Sequence, residues 1–427
     1  MSIQSNNIMI STQPSCADIY ESDLLPVEQA LKQILSDLPC LADYEIINIE
    51  QAKGRTLSQA INAPFNVPQH NNSAVDGYAL NSNDLPDKDI ASLSITGTAY
   101  AGKPWSNSIN PGECIRIMTG AVIPSGTDTV IMQEHVELNN NSIKIDNRHQ
   151  KGQNIRLSGE DIQQGETILF PGKFITPADV GLMASLGICE IKIRRKLKVA
   201  IASTGNEVIS IGDTLSSSTL YDSNRYSLFA ALQRPDIEII NLGIIEDSPD
   251  ALLNSFKLAS QTADMIISSG GVSVGDADHT KTALQQSGQV DFWKIAIKPG
   301  RPLAFGHIDN SVFFGLPGNP VAVMVTFYQF VLPALEYMMG IKDKVCAPKI
   351  QAKTIENIRK KTGRTEIARG ILQQESDGSW TVKTTGKQGS GILRSMSLAN
   401  AFIILEHNRS TVKAGEMVTV QPFYGLF

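Results

Sequence analysis

The chain has 427 residues, 42% of them apolar and 19% charged, with a formal net charge of −6. That length leaves room for roughly two to four domains with cores of their own. An acidic balance excludes a general nucleic-acid or anionic-membrane surface, so an anionic ligand would need a local basic cluster.

Five cysteines (Cys16, Cys40, Cys114, Cys189, Cys346) are scattered without a C-x-x-C pair. They read as reduced thiols of a cytoplasmic protein, not as a disulfide framework or a zinc site. The first basic residue is Lys32 and no apolar run follows it, which argues against a signal peptide. Val321 to Met339 approaches the length of a membrane span but contains Gln329, Pro333 and Glu336, so it is expected to be a core helix.

Met1 to Asp23 is polar and aperiodic. Over Pro26 to Leu38 the spacing of Val27, Ala30, Leu31 and Ile34 predicts a helix with one buried face. Pro64 and Pro68 mark a boundary. Beyond it, Asp76-Gly77 reads as a turn, the commonest hairpin signal. Leu93 to Val136 alternates apolar and polar residues between glycines, the pattern of a compact β-rich domain. Thr119 falls at a strand end there, where its hydroxyl either meets a ligand or caps a turn; Asp161 lies in a glycine turn with Arg156 and Glu160.

After Gly165 the pattern changes, with a helix predicted over Thr176 to Leu186. From Val199, strands and helices alternate, implying a doubly wound, mostly parallel sheet. In such a sheet the loops at the carboxyl ends of the strands form one ligand-binding rim. Glu207, Asp247, Asp276 and Asp278 bring acids to that rim; Lys294, Lys298 and Arg301 bring bases. The stretch Met265 to Lys281 reads as strand, glycine loop and helix, with Gly270, Gly271 and Gly275 in the loop. Bare glycine amides suit an oxyanion, while two nearby carboxylates suit a cation such as Mg²⁺ between acid and phosphate. A glycine turn with two capping aspartates remains open from this loop alone. Leu316 to Pro320 (LPGNP) forms a second strand-to-helix pocket, with Asn319 as N-cap and Pro320 at the first helical position. Gly271 to Gly275 also matches G-x-S-x-G, which would make Ser273 a nucleophile. The acids that follow oppose an oxyanion hole, and His407 lies in a separate region, so that reading is disfavoured. From Cys346 the helices give way to short strands between glycines, a small β-domain or barrel.

Taken together, the motifs NSAVDGYA, IRIMTGAVIPSGTDTVIMQE, GEDI, STGNEV, YDSNR, SSGGVSVGDADHTK, IKPGRP, LPGNP, ARG and QGSGILRSMSLANA resemble those of molybdopterin molybdenumtransferases, the family of bacterial MoeA and the gephyrin E-domain. The resemblance implies four domains: an elongated linker from 24–63 and 164–195, a β-rich insertion at 64–163, a molybdopterin-binding α/β domain at 196–345, and a C-terminal β-barrel-like domain at 346–427. It implies a homodimer whose cleft joins the α/β domain of one copy to the insertion of the other. The implied reaction takes adenylylated molybdopterin and molybdate, uses Mg²⁺, inserts molybdenum and releases AMP. Implied partners are the molybdopterin adenylyltransferase and proteins that mature molybdoenzymes.

Carried over by position, the family's functional acids fall on Asp76, Asp161, Glu207, Asp247 and Asp278, with Asp247 and Asp278 as metal ligands. Thr119, Lys294 and Lys298 join them as reacting-site groups. Gly270, Gly271 and Ser273 would take the terminal phosphate, while Lys298, Arg301, Arg369 and Ser390 would grip anions and Pro317, Asn319 and Pro320 would shape the pocket. The chain departs from the family pattern at His70-Asn71, Val75, Asn206 and Glu406. Asn206, standing where an acid is usual, leaves Glu207 to carry that loop's charge alone.

Overall fold

The structure, a computed structural model, describes residues 24–270, 288–342 and 348–423. Its centre is a six-stranded sheet in the order Ile237–Ile245, Leu197–Thr204, Met265–Ser269, Ser311–Leu316, Pro302–Ile308, Gly288–Lys294. The first four strands run parallel. Alternate residues of each buried strand enter two different cores, as a pleated strand covered on both faces requires. Val199, Ile201, Met265, Ile267 and Phe314 pack with the long helix after Leu316. Ala200, Ala202, Ile266 and Phe313 meet Leu252 and Phe256 of the Pro249–Ser260 helix on the opposite face.

The sheet is less parallel than the alternation of strands and helices suggests, because its last two pairings are antiparallel. Only Asp309 and Asn310 separate Pro302–Ile308 from Ser311–Leu316. A parallel return needs about a dozen residues of crossover. Two residues permit only a hairpin, and Asp309 takes the left-handed conformation (φ 49°) that tight turns use.

The apolar helix Pro320–Met338 has the length and composition of a membrane span, yet 72% of its most apolar window is buried within the fold. It widens to a π-turn over Phe327–Val331, where the Leu332 N–H donates to Phe327 O. Pro333, which has no N–H to give, follows immediately and accounts for the altered ladder.

On the N-terminal side, Tyr44–Asn48 pairs with Glu190–Arg194, and Ile61–Asn62 with Thr167–Leu169. The chain between these paired segments builds its own six-stranded sheet, centred on Gly77–Leu80 and Glu113–Ile117. The Pro177–Ser185 helix begins with a reciprocal cap between Thr176 and Asp179.

Beyond the long helix, Thr365–Gln374 pairs with both Trp380–Thr384 and Ala401–Leu405. Ile350–Thr354 and Met417–Pro422 complete the ring, so these five strands close into a barrel. Ile297–Lys298 leaves the central domain to pair with Thr365 and Glu366. This graft sets the barrel beside the carboxyl ends of the central strands. The multidomain α/β plus β class, with a doubly wound central domain, a β-rich insertion and a C-terminal barrel, is thus the architecture of the chain.

Candidate functional site: a cleft at the carboxyl ends of the central strands

A cleft of about 1120 Å³ opens where the four parallel strands end. Each strand contributes its following loop: Asp247, then Thr204 with Glu207, then Gly270, then Pro317 to Pro320. Lys298 and Arg301 form the adjoining wall, and the barrel supplies Arg364 and the loop 388–391. Ser390 lies in that loop, and its carbonyl accepts the Val321 N–H at 3.0 Å, docking the loop on the start of the long helix. Asn319 is the helix N-cap by position, with Pro320 in the first turn, although its side chain makes no capping bond.

The strand ends pack too closely for side chains. Gly270 has φ +92°, and a Cβ there would stand 2.4 Å from Thr204 O. Only glycine fits, which leaves bare backbone facing Thr204.

Beneath the rim runs a hydrogen-bonded network. Asp222 is 3% exposed and Arg225 6%. Arg225 Nε donates to Asp222 Oδ2 at 2.9 Å, and Ser203 Oγ donates to Asp222 Oδ1 at 2.9 Å. Ser203 and Ser269 are joined at 3.0 Å. The charge of Asp222 is therefore satisfied within the protein, which gives the YDSNR motif its task.

Asp247 differs: its Oδ1 is buried without a hydrogen-bond partner among the described residues. Such an acceptor is costly unless a donor or a cation reaches it. No three His, Cys, Asp or Glu side chains among the described residues group as a metal site. The donor chemistry of Asp247 nonetheless fits a hard divalent cation, which takes carboxylate oxygen together with ligand oxygens.

Charge sorts across the cleft. Glu207 and Asp247 follow the two strands on one side of the sheet order, while Lys298, Arg301 and Arg364 line the other side. Lys298 Nζ stands 3.5 Å from Glu366 across the strand graft. Arg364 and Asp222 line the cleft although the sequence reading did not single out either one. Arg364 is visible only after the barrel strand beside it is paired with Ile297; an acid three residues before an arginine at a helix start was the available signal for Asp222.

Arg369 lies under the cleft, 1% exposed. Its Nε donates to Ser395 Oγ at 3.0 Å, its Nη2 to Gly389 O at 3.1 Å, and its backbone N–H to Gln388 Oε1 at 2.8 Å. Burial pulls its pKa down from 12.5 to about 10. Arg369 therefore fixes the floor of the loop that carries Ser390.

Four residues stand away from this cleft. Asp76 and Thr119 form a pair on the insertion, where the Thr119 N–H and hydroxyl both donate to Asp76 Oδ1 at 2.7 Å. The backbone bond first, then the hydroxyl bond, holds the Asp76 carboxyl below the usual carboxylate range. Asp161 is exposed on the same insertion, and Lys294 is exposed at the end of an outer strand. None of these four lines the cleft of its own chain. Gly271, Ser273, Asp276 and Asp278, and the helix expected over His279 to Gln286, lie outside the described residues, as does Cys346.

Comparison with known proteins covers nearly the whole chain. Residues 25–187 match the MoeA N-terminal region (domain I and II), residues 207–337 a family described as "Probable molybdopterin binding domain", and residues 351–423 the MoeA C-terminal region (domain IV). A Haemophilus influenzae protein named molybdopterin molybdenumtransferase is 42% identical over 94% of this chain and 99% of its own. Dictyostelium discoideum gephyrin is 33% identical over 93% of this chain, which spans 62% of that longer protein. The crystal structure of the molybdopterin biosynthesis moeA protein from Pyrococcus horikoshii superposes with a TM-score of 0.81 at 28% identity, covering 94% of this chain and 100% of the other.

Proposed function

Because the chain belongs to the molybdopterin molybdenumtransferase (MoeA) family, we propose that it takes adenylylated molybdopterin and molybdate, inserts molybdenum at the dithiolene and releases AMP. Its place in molybdenum cofactor biosynthesis follows from the family. The observation that carries the detailed reading is the polarity of the cleft, with an orphaned buried carboxylate oxygen on Asp247 at one side and Lys298, Arg301 and Arg364 at the other. Two different ligand ends, one metal-bridged and one purely anionic, suit the two sides.

Asp247, joined by Asp278, would hold Mg²⁺. The ion supplies charge neutralisation of the phosphoanhydride when bound. Glu207 would orient water or the ion's outer ligands. Gly271 and Ser273 would receive phosphate through backbone and hydroxyl donors, and Gly270, whose N–H is given to Leu316 O at 3.1 Å, would make room for it by carrying no side chain. Lys298, Arg301 and Ser390 would hold molybdate over the floor that Arg369 fixes, and Pro317, Asn319 and Pro320 would shape that end of the pocket.

Asp76, Thr119 and Asp161 stand away from the cleft of their own chain, so their participation would come across a homodimer, from the insertion at 64–163 of a second copy, whereas Lys294, on the outer strand of the α/β domain itself, would act from the rim beside the cleft. The linker at 24–63 and 164–195 would space that insertion from the α/β domain at 196–345, and the barrel at 346–427 would close the anionic side. A cytoplasmic setting, with a molybdopterin adenylyltransferase upstream and molybdoenzyme-maturation proteins downstream, completes the reading.

Purified protein mixed with adenylylated molybdopterin, Mg²⁺ and molybdate is expected to release AMP only when molybdate is present. Absence of that release, with substrate binding intact, would overturn the transferase reading.

A further inference from the structure

Thr204 ends the Leu197–Thr204 strand, is 3% exposed and lines the cleft. Its Oγ1 is buried with no hydrogen-bond partner among the described residues. The proposed reaction assigns it no task. A buried hydroxyl without a partner costs stability that a methyl group would not, and a ligand that accepts from it would remove that cost.

Its surroundings indicate which one. A Cβ placed on Gly270 would fall 3.1 Å from Thr204 Oγ1. The hydroxyl and the bare backbone of Gly270 therefore share one small surface. In the order of the parallel strands this surface sits between Asp247 and the LPGNP loop, away from the wall of Lys298 and Arg301. Gly270 gives its N–H to Leu316 O and contributes open space, not a donor; the Thr204 O–H beside that space, next to a carboxylate suited to a cation, fits a phosphoryl oxygen better than the molybdate held at the basic side.

We propose that Thr204 is a substrate-binding residue whose hydroxyl donates to a phosphoryl oxygen of the adenylylated pterin. The proposal rests on the transferase reading for the identity of the ligand, and on the geometry alone for the ligand's chemical class.

Thr204→Val tests it, since valine keeps the shape and removes only the hydroxyl. The variant is expected to unfold at the same temperature as the wild type or higher, and to bind adenylylated molybdopterin about ten- to a hundredfold more weakly, the worth of a hydrogen bond to a charged group. The KM for molybdate is expected to stay unchanged, and Thr204→Ser to restore affinity. A lower unfolding temperature with unaltered affinity would show that the hydroxyl serves the fold, and unaltered affinity in a stable variant would equally overturn the proposal. A loss confined to the molybdate KM would assign the hydroxyl to the other anion. If the wild type binds the adenylylated pterin and T204V does not, yet neither releases AMP, the transferase reading fails and the phosphoryl contact stands.

Discussion

Asp247→Asn is expected to lower molybdate-dependent AMP release by about a hundred- to a thousandfold, the range typical of removing one charge-stabilising group from a reacting site. The same substitution is expected to leave the unfolding temperature unchanged or raise it. Both effects follow from one atom, the buried Oδ1 of Asp247 that lacks a partner among the described residues. In the free protein a desolvated carboxylate oxygen without a donor is a cost, and exchanging the carboxylate for a neutral amide lightens it. In the working complex that oxygen would face Mg²⁺, and the amide is a weaker ligand for a hard cation. AMP release measured across a range of Mg²⁺ concentrations is expected to saturate far later in D247N than in the wild type. An unchanged Mg²⁺ dependence would remove Asp247 from the ion. Asp222→Asn provides the contrast, because it strands the buried Arg225 beside a neutral partner and is expected to cost about 3–5 kcal/mol of stability. Two aspartates lining one cleft are thus expected to respond in opposite ways, one through chemistry and one through the fold.

The difference between those aspartates marks where the sequence stopped being informative. The helix starts at Val27, Pro177 and Pro320, the β-rich insertion and the terminal barrel carry short-range signals: apolar spacing, caps, prolines and glycine turns. Such signals act within a few residues and survive in one dimension. The central sheet is mostly parallel, as the alternation of strand and helix implies, and its antiparallel end rests on a more local mark, the two residues Asp309-Asn310 between successive strands. Site residues divide in the same way. Glu207, Asp247, Gly270 and Pro317 follow parallel strands, and the rule that ligands bind at the carboxyl ends of such strands finds them. Arg364 reaches the cleft only because Ile297–Lys298 pairs with a strand of the barrel, a long-range event without a local mark. Burial is equally nonlocal. Arg225, three residues after Asp222, marks in YDSNR a carboxylate with a partner at hand, but nothing in STGNEV marks the Thr204 hydroxyl as buried without a partner among the described residues.

Arg369→Met, the second large effect, is expected to reduce AMP release by at least about a hundredfold while costing no more than about 1–2 kcal/mol of stability, well below the 2–5 kcal/mol usual for emptying a large core site. Arg369 is 1% exposed, and among the described residues its side chain donates to the neutral acceptors Ser395 Oγ and Gly389 O. Removing it strands the Gly389 carbonyl but also relieves a desolvated cation, and methionine fills much of the volume. The two changes largely offset one another in the fold. They are not expected to offset in the cleft, where the guanidinium fixes the loop carrying Ser390 and would add positive potential beneath a bound anion. Arg369→Lys is expected to be the poorer substitute in stability, since one ammonium cannot reach both acceptors and is harder to desolvate. The pH dependence has a definite sign. The folded-state pKa is lowered from 12.5 to about 10, so between these values the unfolded chain binds more protons and wild-type stability rises relative to R369M as pH increases. Below that window the difference is flat, with the buried charge at its full cost. Chemical denaturation of both proteins at about pH 8 and pH 10.5 reads the slope. A wild-type advantage that shrinks with rising pH would mean that the fold stabilises the cation with a counter-charge, and would transfer Arg369 from the service of the ligand to that of the barrel.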